Sequence, residues 1–300
     1  MAEKTLIMLA KNTTAKQRKF PLYLSEKVDG FAYNVMKLGG KIVALSRQNK
    51  QFTSVEHIHD ALNKIMQNGD RIVGELFIPG MDFKDSGGII RRNKPDLRIR
   101  LGIYDSVKAN QKDWPFNDRY LDSTSTIQSY ASSVGWLSTE PYMWLQQHMV
   151  VNEDALERTE ATVQSLSAQP TFEGWMYRYI EHLFAPGKRS WGMQRKTMKG
   201  SIDLRVVSVE QAFSKEGEPL GMSGRINVWY PHKDKGKYKE TCGVGPGRLT
   251  HDQRTRIWNN QSAFIGKIIE IEYKVDPSYA ALRQPTFQKL RRDKDTGDNE

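Results

Sequence analysis

The sequence predicts an α+β fold in two parts: antiparallel sheets flanked by helices through residue 203, then a small β-barrel of the OB type over 204–300. Three observations carry that reading. Runs alternating with the two-residue period of strands and runs with helical spacing succeed one another through the first two thirds of the chain. From about residue 205 the texture changes to short strands, Gly-rich and polar turns and one helical run. That pattern, in under a hundred residues, suits a five-stranded barrel. Finally, 38% of the 300 residues are hydrophobic, with seven Trp, twelve Tyr and eleven Phe, which is enough for substantial cores.

The elements follow in order. Residues 4–20 form a basic lead-in, from Lys4 to Lys16-Gln17-Arg18-Lys19, with one apolar run, Leu6 to Ala10. The run Phe20-Pro21-Leu22-Tyr23-Leu24 delivers Lys27 to a turn closed by Asp29-Gly30, and Phe31 to Val35 alternates as a strand. A Gly39-Gly40 turn precedes a strand over 41–47. Residues 55–68 repeat apolar positions at helical spacing and stop at Asn68-Gly69. Strands are expected at 71–80 and 97–105, helices at 116–133 and 151–167, and a further strand at 171–178. A loop at 185–190 and the pair Lys196 and Lys199 lead to a strand at 203–209. In the second part, strands are expected near 205–209, 223–230, 239–244 and 266–274, with a helix at 250–260 capped by Thr250. The tail, Asp295 to Glu300, reads as disordered.

Charge and composition narrow the function. Lys and Arg number 45 against 35 acidic residues, a formal +10, which favours a polyanionic partner such as nucleic acid. The single cysteine, Cys242, excludes an intramolecular disulfide and a cysteine-based zinc finger. The six histidines lack metal-ligand spacing. No apolar run approaches membrane-spanning length and no signal-peptide pattern opens the chain, so a cytoplasmic protein without a membrane partner is expected.

Two charged residues stand inside strands that should be half-buried: Glu75 in Val73-Gly74-Glu75-Leu76-Phe77 and Glu173 in Phe172-Glu173-Gly174-Trp175. A buried carboxylate must be paired, metal-bound or hydrogen-bonded. A lysine is a covalent nucleophile only as the free amine. Lys27, Glu75, Glu173, Lys196 and Lys199 together are equipment for attacking a nucleoside triphosphate, the carboxylates holding ribose and metal and the cations meeting phosphate oxygens.

In this order, Lys27-Val28-Asp29-Gly30, Ser46-Arg47, Gly74-Glu75-Leu76, Ile103-Tyr104-Asp105, Glu173-Gly174-Trp175-Met176, Lys196 to Lys199 and Arg291-Arg292-Asp293-Lys294 resemble the nucleotidyltransferase motifs of ATP-dependent DNA ligases. The likeness covers nearly the whole chain and is closest to the compact ligases of bacteriophages. It implies an adenylation domain over 1–203, an OB-fold domain over 204–300, and a hinge near Asp203-Leu204-Arg205 that lets the barrel close over the nucleotide and swing away. It implies that Lys27 attacks the α-phosphate of ATP and that Asp29 serves strand joining. Arg47 would contact the 5′-phosphate of a nick, Glu75 the ribose, and Tyr104 would stack on adenine. Glu173, with Glu75, would bind Mg2+ or Mn2+. Lys196 and Lys199 would clamp the α-phosphate, and Arg291, Asp293 and Lys294 would orient pyrophosphate. The partners implied are ATP and nicked double-stranded DNA, engaged by a monomer. Residues 232–240, rich in lysine, could reach the DNA backbone.

Two departures stand out. The family usually has arginine five positions after the nucleophile, where this chain has Ala32; Arg178 and Arg189 are candidates to replace it. The lysine pair is usually two apart and here three, and Lys199, four before Asp203, is the firmer match. Only 26 residues precede Lys27, little room for a nicotinamide-binding segment, so ATP is expected rather than NAD. The competing readings are an RNA ligase, a capping guanylyltransferase, and a non-catalytic OB protein that binds nucleic acid.

Overall fold

The computed structural model describes residues 7–128, 141–167, 170–234, 236–276 and 279–300, the side chains of 124–128 excepted. Lys4, Lys235, the last residues of the helix expected at 116–133 and part of the polar exit after 167 lie outside the described residues. The chain divides into two compact units, Met1–Thr197 and Met198–Glu300.

The first unit is built on two five-stranded sheets. One runs β1 (Leu9–Asn12), β10 (Arg189–Thr197), β9 (Phe172–Tyr179), β2 (Leu22–Val28) and β8 (His148–Val150). The other runs β4 (Lys41–Ser46), β3 (Phe31–Leu38), β5 (Arg71–Phe77), β6 (Arg100–Val107) and β7 (Tyr142–Trp144). Most pairings are antiparallel, as expected; β1 with β10 and β6 with β7 are parallel. Asp29-Gly30 is the corner at which the chain leaves the first sheet and enters the second. The alternation legible in β3 points Tyr33 and Val35 inward, where they meet Ile58 and Leu62 of α1 (Glu56–Ile65), Ile72 and Leu76 of β5, and Ile90 of α2 (Phe83–Ile90). α3 (Phe116–Gln128) and α4 (Glu153–Leu166) complete the unit, α4 opened by Asn152, whose side chain accepts from the Ala155 amide.

The second unit is one strongly curled sheet in the order β13 (Lys237–Val244), β12 (Pro219–Asp234), β11 (Lys199–Phe213), β14 (Ile268–Lys274), β15 (Arg283–Leu290). The two ends of that order touch just beyond β13, where Gly245 bridges to Thr286 and exchanges backbone bonds with Pro285 and Phe287. This is the partly open barrel expected of an OB fold. Its interior holds Leu204, Val206, Ile226, Val228, Val244, Ile269, Ile271, Phe287 and Cys242. α5 (His251–Asn259) starts at Thr250 with a reciprocal capping box to Gln253.

The structure corrects the reading of the tail. Asp298 accepts from the Asp203 amide and donates its own amide to the Asp203 carbonyl, both at 2.8 Å. Glu300 pairs with Arg205 at 2.5 Å, and Asn299 donates to the Trp229 carbonyl. A polar, Gly-containing composition looks solvated in sequence, yet each of these side chains finds a backbone or charged partner on β11 or β12. The second unit begins at Met198, and its first strand at Lys199.

Candidate active site

β2 carries Lys27 to the corner between the two sheets, next to Asp29-Gly30. Its ammonium lies 2.5 Å from Glu173 Oε2 on the adjacent strand β9, with the side chains only 18% and 14% exposed. Gly30 permits the corner: a Cβ there would stand 2.3 Å from the Leu76 carbonyl oxygen and 2.8 Å from Glu75 Cγ. Asp29 is 7% exposed, and its amide donates to the Thr171 carbonyl at 2.8 Å. The turn is therefore pinned to β5 on one side and to the start of β9 on the other.

Glu75, on β5, gathers the rest of the constellation. Burial pushes its carboxyl up to about 8; Lys27 works against that rise, Glu173 and Asp29 repel the charged form, and Arg47 lowers it again. Four of the residues singled out in sequence are thus electrostatic neighbours of the fifth. Tyr104, on β6, packs with Val28 and Phe77, and burial followed by the Glu75 charge raises its hydroxyl above the ordinary phenol range.

Behind Tyr104 lies a buried ion cluster that sequence reasoning missed. Arg119 grips the Asp105 carboxylate through Nε and Nη2, at 3.2 and 2.9 Å, and Arg178 Nη1 reaches the same carboxylate at 2.8 Å. Asp105 and Arg119 are fully buried and Arg178 is 5% exposed. The Arg178 guanidinium also lies 5.6 Å from the centre of the Tyr104 ring. Arg178 is committed to this cluster. Arg189 donates to the Ala10 carbonyl at 2.7 Å, and Ala32 itself registers with Glu75. The sequence signal for this cluster was confined to Asp105 and Arg178, each charged in otherwise apolar or aromatic surroundings; Arg119 stands among polar residues and gave none.

The lysine pair is split. Lys196 bonds Glu160 of α4 at 2.5 Å and sits 4.9 Å from the Trp175 ring centre. Glu160 in turn accepts from the Tyr177 hydroxyl at 2.6 Å. Trp175 registers with Glu26, the neighbour of Lys27, so Lys196 occupies the sheet face opposite to that of Lys27. The structure does not bring Lys196 to Lys27. Lys199 belongs to the second unit, where it pairs with Glu272 at 2.5 Å.

In the second unit Asp203 is a hub. Arg291 and Lys294 each reach its Oδ2 at 2.5 Å, and Arg291 also pairs with Asp293 at 2.8 Å. The three residues expected to act together are therefore assembled as one cluster, with Arg291 and Lys294 20% and 35% exposed.

Among the described residues, no three His, Cys, Asp or Glu side chains gather as a complete metal site. Glu173 and Glu75 are hard oxygen donors, and a cation bound by one or two carboxylates plus substrate phosphates needs no fuller cage. The repulsion among Glu75, Glu173 and Asp29 is what a divalent ion would relieve. The donor set fits Mg2+ or Mn2+.

No protein-family model matches the sequence, and no curated protein matches it at a significant level. Solved structures do. The structure described as "Pmar-Lig_Pre." superposes with a TM-score of 0.76 at 19% identity, covering 96% of this chain and 67% of its own. A minimal-scaffold Lig E DNA ligase gives 0.67 at 17% identity over 95% and 98% of the two chains. The Chlorella virus DNA ligase-adenylate gives 0.52 at 22% identity over 97% and 99%. The fold is that of DNA ligases. The ligase fold extends over both units and agrees with the α+β and OB-type architecture expected from sequence.

Proposed function

We propose that this protein is an ATP-dependent DNA ligase that seals 3′-OH/5′-phosphate nicks in duplex DNA. The observation that carries the proposal is the corner constellation: a lysine on a strand end, ion-paired to Glu173, with Glu75, Asp29 and Arg47 in its electrostatic field. In the first step Lys27 Nζ attacks the α-phosphorus of ATP; a P–N bond forms, the bond to the β-phosphate oxygen breaks, and pyrophosphate leaves as the amine loses its proton. The nick's 5′-phosphate then displaces the lysine, and the 3′-hydroxyl displaces AMP. Each step is an in-line phosphoryl transfer that positioning and charge stabilisation accelerate.

The remaining residues take these roles. Tyr104 stacks on adenine, Glu75 holds the ribose hydroxyls, and Asp29 serves strand joining with Arg47 on the 5′-phosphate. Glu173, with Glu75, holds a divalent cation, which supplies charge neutralisation at the phosphates. Arg291, Asp293 and Lys294 orient pyrophosphate, and Lys199 contacts the α-phosphate. The functional domains are 1–203 and 204–300, and the protein acts as a monomer in the cytoplasm.

The test is intact-protein mass after incubation with ATP and Mg2+, then after addition of nicked duplex DNA. Gain of one adenylate, lost as the nick closes, is the expected outcome. An adenylate that persists on nicked DNA moves the substrate to RNA, a guanylate adduct identifies a capping enzyme, and no adduct with any nucleotide leaves a binding protein.

A further inference from the structure

We infer that the β1–β10 edge of the first sheet carries a further nucleic-acid site, in which one unpaired base of a single strand stacks on Trp191 while neighbouring phosphates lie on Lys11 and Lys19. This site lies apart from the corner constellation and does not depend on the ligase reading. Its charge is set by the two segments that meet there. Neither 4–25 nor 182–202 contains an Asp or Glu, and each carries five Lys or Arg. β1 and β10 set them side by side as parallel strands. Arg18 and Lys196 are spent on Glu153 and Glu160 of α4, but among the described residues Lys11 and Lys19 have no carboxylate partner. An uncompensated cationic edge favours a polyanion.

An aromatic ring is built into that edge. Between Ser190 and Gln194, β10 bulges through Trp191, Gly192 and Met193, which have no counterpart on β1, where their neighbours pair with the consecutive Ala10 and Lys11. The bulge is held in place. Gly192 packs under the His182 ring, which a Cβ would meet at 2.1 Å, and Gln194 Nε2 donates to the Trp191 carbonyl at 2.9 Å and to the Gln17 carbonyl at 2.8 Å. Trp191 is nevertheless 39% exposed, with Lys11 Nζ 4.3 Å from its ring centre. It borders a cleft of about 180 Å³ shared with Tyr177, Tyr179, Gln194 and Lys19, and Lys19 Nζ stands 5.9 Å from the Tyr179 ring centre. Gln194 is buried and its Oε1 has no partner, which leaves an acceptor at the cleft wall for an N–H of a base. Tyr177 bonds Glu160 of α4, so the cleft opens on the sheet face of Glu26 and Lys196, not that of Lys27. Sites that enclose a whole small ligand run to roughly 300–1,000 Å³. This cleft is smaller; it admits a single ring system and leaves the rest of the molecule outside, against the lysines. A half-exposed indole flanked by unpaired cations is the equipment that holds single strands without reading their sequence.

Three variants of the full chain test this: Trp191→Ala, Trp191→Phe, and Lys11→Gln combined with Lys19→Gln, each first checked for wild-type thermal melting. The probe is a short fluorescein-labelled single-stranded DNA, read by anisotropy with and without an excess of unlabelled hairpin duplex. Trp191→Ala should weaken single-strand binding roughly ten-fold, as loss of one stacked base does, and Trp191→Phe should hold it within about three-fold of wild type. The double lysine variant should flatten the log–log dependence of single-strand affinity on salt by about 1.4, the share of two phosphates. Duplex affinity and adenylate uptake should keep their wild-type values in all three, and excess duplex should leave the probe bound. Unaltered single-strand affinity in Trp191→Ala, an equal loss of duplex affinity in that variant, or full displacement of the probe by duplex overturns the site and leaves the ligase reading standing. A wild-type chain that takes up no adenylate, yet binds the strand through Trp191, removes the ligase reading and keeps the site.

Discussion

Lys27 is ion-paired to Glu173 and interacts with the charge of Glu75, and that arrangement makes single-residue effects separable. Lys27→Ala should abolish the adenylate adduct while leaving nucleic-acid binding measurable by anisotropy; a variant that still gains the adenylate mass would remove Lys27 from the chemistry. Glu26, one residue earlier, points to the other face of the sheet and was not singled out in sequence. It is 8% exposed with Oε2 unpartnered, and burial pushes its carboxyl up to about 7 against a small opposing hydrogen bond from Ser167. The folded chain therefore holds a proton that the unfolded chain releases near 4.5, and stability falls as pH rises from there to about 7. Glu26→Gln should melt a few degrees above wild type at pH 8, with the gap closing near pH 4.5; a gap independent of pH would show that Glu26 does not set this slope. Arg119→Met should cost about 3–5 kcal/mol by urea denaturation, because Asp105 would lose its bidentate partner while fully buried.

At the scale of elements, what was legible depended on whether a strand announces its own pattern. β3, β5 and β6 alternate or run apolar, and their spans lie within a few residues of those expected. β10 reads RSWGMQRKT, with only Met193 and Gln194 buried, so its polar and basic residues looked like a loop. β15 contains Pro285 and lies at an end of the sheet order, where a missing amide donor is tolerated. α2 was missed because Gly87 and Gly88 argue against a helix, yet Asp82 caps it and Gly87 lies under Phe31, where a Cβ would be 2.9 Å from the ring. Gly174→Ala should test the tightest of the strand contacts. Its positive φ and backbone collision should cost roughly 3 kcal/mol in chemical unfolding, and a neutral result would mean that β9 is free to shift at this point.

For the molecule as a whole, the sequence order of motifs picked out Lys27, Glu75, Glu173 and the second unit's basic cluster, because those signals lie in short local spacings. The face on which Lys196 sits and the Asp105, Arg119 and Arg178 cluster were not legible, because strand register and the pairing of distant segments decide them. The C-terminal residues belong to the second unit's stability: deleting 296–300 removes the Asp298 and Glu300 contacts to Asp203 and Arg205 and should lower its melting temperature by several degrees in calorimetry. On the proposed function, the excess of positive charge should make nicked-duplex affinity fall steeply with salt, with a log–log slope that counts the phosphates engaged. Cys242, sealed in the barrel's interior with its thiol pushed up by burial, has a use outside the chemistry. As the protein's one thiol, it is a built-in clock for the opening of the second unit. A maleimide added to the native protein can react only as fast as that barrel breathes, so a single mass increment, followed over time with and without DNA, reads out how far DNA quiets those fluctuations.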